Sequence, residues 1–204
     1  FYNISSIEAH RKTPMQARLS TNFMGRAPLK VFFKFNLDDK NNNFSFAGTL
    51  GSTPFKYFDE ILYPLAGLKV FAGQLDKLTF EATANEYRSQ GTMTMLYHDL
   101  EATVYKKGHV DEEAKMLSWL INSVVHKTNP DKKGIRTVPM KYEHLPYTSI
   151  ATYMVKTLLM GIAYTLSPEG MHMKEKLETR QEKKEIKQKK KAEKKEKKNK
   201  SKTN

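Results

Sequence analysis

The stretch GTMTMLYHDLEATVYKK, residues 91–107, changes phase in its middle. From Thr92 to Tyr97 apolar and polar residues alternate, with Met93, Met95 and Tyr97 on one side. From Leu100 to Val104 the alternation resumes one residue out of step, on Leu100, Ala102 and Val104. Successive strand side chains point to opposite faces, so an uncorrected slip would turn the second apolar set to the wrong side. One extra residue in the strand, a β-bulge, cancels the slip and increases the local twist. His98–Asp99 stands at the slip. The pattern therefore predicts a long, curved strand with one apolar face; the plainer reading ends the strand at Tyr97.

The rest of the chain agrees with a sheet. MQARLSTNF (15–23) alternates throughout, and Gly25 and Pro28 break it. Val31, Phe33, Phe35 and Leu37 share a side, DDKNNN (38–43) is a turn cluster, and Phe44, Phe46 and Leu50 resume the alternation, which together read as an antiparallel meander. Thr53 and Pro54 read as N-cap and first residue of a helix over 53–65, ended by Pro64 and Gly67. Strands follow at 68–73 and 77–87, with a turn through Arg88–Gly91. Residues 111–127 carry acids in the first turn and an apolar stripe, the pattern of an amphipathic helix. Residues 134–144 suit a strand that Pro139 confines to an edge. Residues 147–166 form the most apolar helix candidate; Lys156 at its centre favours packing on the sheet over lying in or across a membrane.

The expected fold is α+β and mainly β: a curved, twisted antiparallel sheet, a groove-like meander, with short amphipathic helices. Its parts are a leading segment (1–14), the β-groove domain (15–166) and a Lys/Glu-rich solvated tail (167–204), helical at first and disordered toward its end. Residues 174–204 hold fifteen Lys/Arg against six Glu, so nine of the thirteen net positive charges lie there and the body is only mildly basic. Glu185–Lys189 and Glu193–Lys197 support a helix, but too few apolar residues remain for the tail to join a core.

Catalytic chemistry finds little purchase. The six histidines are scattered, with no H-x-x-x-H or H-x-H pair, and cysteine is absent, so no metal site is expected. Ser52 lies in LGSTP and not in a nucleophile elbow, and GTLGS lacks the ending of a phosphate loop. The expectation is a non-enzymatic protein without a cofactor. The chain does not begin with Met and nothing near Phe1 resembles a signal peptide, which reads as a C-terminal piece of something longer.

FMGRAPLKVFFKFNL, FSFAGTLG, the run LYPLAGLKVFAGQLDKLTFEATANEYRSQGTMTMLYHDLEATVYKK and INSVVHKTNPDKKG follow one another in an order that resembles the C-terminal region of AsmA-like envelope proteins of Bacteroidetes-type bacteria. The resemblance spans about residues 15–166. It is carried by Gly73, Leu75 and Asp76, the run from Gly91 to Leu100 with YHDL, Asn129–Pro130 and GIAYTL. Such proteins are related to chorein-type lipid-transfer bridges, which implies a gutter-shaped sheet facing the periplasm. It also implies an inner-membrane anchor upstream and a role in phospholipid transport or outer-membrane biogenesis. The Lys-rich tail is not typical of the family.

On this reading Val31, Phe33, Phe35, Phe44, Phe46, Leu78, Phe80, Met93, Met95 and Tyr97 line a lipid groove, although a filled core needs the same side chains. Lys183, Lys184, Lys187, Lys189, Lys190, Lys191, Lys194 and Lys195 would meet an anionic membrane surface or phospholipid head groups. Two other readings stand: a nucleic-acid binder using the basic tail, which the lack of basic-aromatic platforms on the strands disfavours, and a purely structural scaffold.

Overall fold

The computed structural model describes residues 1–4, 13–66, 68–104, 125–144, 147–172, 176 and 179. Seven strands form one open antiparallel sheet: β1 (Met15–Phe23), β2 (Ala27–Phe35), β3 (Phe44–Leu50), β4 (Thr53–Pro54), β5 (Leu68–Ala84), β6 (Arg88–Val104) and β7 (Thr137–Glu143). Their spatial order is β1-β2-β3-β5-β6-β7, and β4 pairs with β5. The mainly β architecture agrees with the sequence reading, and the first three strands are the expected meander.

The phase change is resolved as expected. β6 is one continuous strand, and Met93, Met95, Tyr97 and Leu100 are all buried. Between Tyr97 and Glu101 the register shifts against β5, and Asp99 takes a left-handed φ of 53°. Gly73 lies opposite with φ 119°; a Cβ there would stand 2.7 Å from Leu100 Cα. Only glycine fits both that conformation and that approach.

β5 corrects the sequence reading. The two strands expected at 68–73 and 77–87 are a single seventeen-residue strand, with further register shifts at Phe71 and Asp76. The turn lies at Asn85–Tyr87 and not at Arg88–Gly91, because Asn85 Oδ1 accepts from the backbone N–H groups of Tyr87 and Arg88 at 2.9 and 3.0 Å. β7 is the edge strand anticipated for Pro139, which pairs with Thr92.

Two helical pieces cover the sheet beside β5. Thr53 is not an N-cap: it is buried and pairs with Leu75 in β4. A 3-10 turn (Phe55–Phe58) leads into helix α1 (Asp59–Ala66), which continues through Pro64. Asp59 ties α1 to β5. Its carboxylate accepts from Lys69 Nζ and from the Val70 N–H, and these bonds hold its pKa below the usual carboxylate value.

Helix α2 (Ile150–Leu166) starts later than expected, because Ser149 caps it by accepting from the Thr152 N–H at 3.1 Å. It packs on β6 and β7. Gly161 lets it sit close: a Cβ would stand 2.7 Å from Met140 Cγ and 2.9 Å from Met93 Sδ, so both methionines would have to move. No helix among the described residues is long and apolar enough to cross a membrane. The packed body runs beyond Leu166, for Ser167 and Met171 are buried, which moves the expected tail boundary at 167 outward. The helix expected over 111–127 falls mostly outside the described residues, and 125–127 are irregular. All eight tail lysines proposed for anionic surfaces also fall outside them.

Candidate functional site: a half-buried apolar margin beside a sealed core

Strand register lays the apolar residues of one face in rows. Phe33, Phe46, Ala82, Gly91 and Met140 form one row across five strands, and Val31, Gly48, Phe80, Met93 and Val138 the next. All ten sequence-proposed groove residues lie on this face, but their surroundings differ. Phe44, Phe46, Leu78, Phe80, Met93, Met95 and Tyr97 are buried in the core under the 3-10 turn, α1 and α2. All seven are less than a tenth exposed, and the void of about 20 Å³ among Phe55, Leu62, Leu78, Met95 and Ile162 is room for about one water and far too small for an acyl chain.

Val31, Phe33 and Phe35 are different. They are half-buried on β2, and Leu19 beside them on β1 is exposed. Phe33 and Phe35 stack with ring centroids 6.1 Å apart, and Phe35 stacks on buried Phe44 at 5.6 Å. A second half-buried row, Met154, Leu158 and Ile162, lies four residues apart on one flank of α2 and packs against the same core. Ile162 borders the small void with Phe55 and Leu78, and Tyr153 meets Phe44 edge-on at 6.2 Å, so this flank turns toward β5 and β3. Stacked Phe23 and Phe58, 5.4 Å apart, close one end. β2 and this flank of α2 thus hold half-buried apolar residues at the margin of the core, with β1 beyond β2.

Residues of the sequence resemblance converge at the other end of β6, and their work there is structural. Asn129 is fully buried and exchanges two backbone hydrogen bonds with Tyr97, at 2.8 and 2.9 Å. Its Nδ2 donates to Met95 O at 2.6 Å and Arg136 O at 2.9 Å, and its Oδ1 accepts from the Arg136 N–H at 2.7 Å. The Asn129–Pro130 peptide is cis. This loop thus continues the edge pairing where β7 stops. Tyr97 donates its hydroxyl to His126 O, and burial raises its pKa. At the bulge, His98 Nδ1 and Asp76 Oδ2 are 3.0 Å apart on the surface; that hydrogen bond raises the His98 pKa.

Among the described residues no three His, Asp or Glu side chains gather as a metal site. Sequence reasoning missed Met154, Leu158 and Ile162 as part of this margin. Their four-residue spacing was visible, but the side of α2 left half-covered depends on tertiary packing. No family model, curated protein or solved structure matches the chain.

Proposed function

We propose that this chain is a non-enzymatic lipid-handling module of the bacterial cell envelope, with acyl chains lying along the half-buried apolar margin of β2 and α2. The observation that carries the proposal is the pair of half-buried rows, Val31, Phe33 and Phe35 on β2 and Met154, Leu158 and Ile162 on α2, both continuous with the closed core. A half-exposed large apolar side chain forgoes about half of the roughly 1.5–3 kcal/mol that full burial contributes. An acyl chain laid along six such residues recovers it, and apolar patches of this kind mark binding surfaces. The Lys-rich tail would meet anionic head groups, each lysine near the surface contributing about 1 kcal/mol at low salt.

A scaffold with no ligand is the second reading, favoured by the tight packing of the seven interior groove candidates. The test is mass spectrometry of organic extracts from purified wild-type protein and from Phe33→Glu and Leu158→Glu variants. Lipid on the wild type and none on the folded variants supports the module. A wild type that carries no lipid and takes up none from vesicles leaves the scaffold.

A further inference from the structure

The opposite face of the sheet carries a second arrangement, independent of the apolar margin. Ser20, Lys30, Thr49, Thr79, Thr94 and Thr137 are register partners in succession, one from each of six neighbouring strands. At the usual spacing of about 4.8 Å between strands, the row is about 24 Å long. At one end two hydroxyls meet, Thr94 Oγ1 and Thr137 Oγ1 being 2.7 Å apart, and Thr79 Oγ1 donates to Thr94 O at 3.4 Å. A parallel row runs Arg18, Phe32, Ala47, Glu81, Thr92. Ala47 offers only a methyl between the larger Phe32 and Glu81, and the two rows border an open hollow of about 790 Å³. That volume is within the roughly 300–1,000 Å³ of small-ligand sites.

We infer that this hollow binds an anionic glycan lying across the strands. Each threonine hydroxyl both donates and accepts, so the row matches a chain of sugar hydroxyls at regular intervals. Phe32 is half-buried and offers an apolar surface for a sugar ring, with the Arg18 guanidinium 5.7 Å from its centroid. The charge on this face selects acidic sugars. Arg18, Lys30, Lys34, Arg88 and Lys141 stand against Glu81 and Glu143, all on the strand positions that alternate with the buried ones. A single-stranded nucleic acid fits less well, since it needs several aromatic platforms and Phe32 is the one aromatic side chain in the two rows.

The test is calorimetric titration of the full chain with a galacturonic acid hexasaccharide, a neutral glucose hexasaccharide and an oligothymidylate. The comparison variant is Thr49→Val/Thr79→Val/Thr94→Val, which keeps β-branched shape and removes three hydroxyls; the tail is the same in both proteins. The acidic hexasaccharide should bind the wild type best, and the triple variant should bind it about tenfold more weakly, a loss of about 1.4 kcal/mol. If the triple variant does not fold, Arg18→Gln/Lys30→Gln, exposed in both positions, takes its place with the same expected loss. No binding, equal binding by wild type and variant, or tighter binding of the oligothymidylate would each overturn the inference.

Discussion

Over β5, β6 and β7 the apolar face of the sheet is roofed by helices, whereas over β1 and β2 the same face runs on half bare. Strand alternation is the same in both regions, and the aromatic content is no lower in the bare one. The difference lies in what stands above. The 3-10 turn and α1 contact β5, and α2 contacts β6 and β7. A β pattern says which side of a strand is apolar, while the helices decide where that side is interior and where it is surface.

Charge placed on each side separates the two regions most sharply. Met95→Glu puts an unpaired carboxylate into the sealed core, where the cost of several kcal/mol rivals the whole stability of a domain, about 5–15 kcal/mol. It should unfold the protein in a thermal melt. Phe33→Glu, on the half-bare side, should cost only about 1–2 kcal/mol and leave a cooperative transition. Equal damage from both substitutions would erase the distinction.

The next effect comes from the bent end of the roofed region. Gly73→Ala forces a side chain into a left-handed backbone against Leu100 and should cost about 3 kcal/mol by denaturant unfolding. Asn129→Ala leaves Met95 O and Arg136 O without their buried donor and should cost about 2–3 kcal/mol. Neither variant should weaken lipid retention while the protein stays folded, because both lie away from the apolar margin.

The smallest effect is electrostatic. Asp76 raises the His98 pKa above its ordinary 6.5, so the pair's stabilisation is fully present below that value. It is lost as pH rises through the raised pKa. The difference in melting temperature between wild type and Asp76→Asn should therefore shrink on going from acidic to alkaline pH. Both groups are about half exposed, so the shift is small.

The sheet and its bend were legible in the sequence because period-two alternation and a slip of phase are local signals. His98–Asp99 could be placed as the bulge without coordinates. The matching distortion in β5 was not legible: Gly73, Phe71 and Asp76 looked like the end of one strand and the start of another. Thr53 looked like a helix cap because Pro54 follows it, yet pairing with Leu75 outweighs that local preference. The site was half legible. Val31, Phe33 and Phe35 carry the same signal as Phe46 and Phe80, and only the position of α2 separates margin from core. The threonine row could not be read at all, since register, and not spacing along the chain, brings Thr49, Thr79, Thr94 and Thr137 together.

The most direct measurement of the central claim is covalent mapping of a bound acyl chain. The wild-type protein would be equilibrated with a fatty acid carrying a photoactivatable diazirine in its tail, irradiated, digested and sequenced by mass spectrometry. Label should fall on Val31–Phe35 and on Met154–Ile162, be competed away by unlabelled phospholipid and be lost in Phe33→Glu. Absence of label, or label confined to the Lys-rich tail, would contradict the claim.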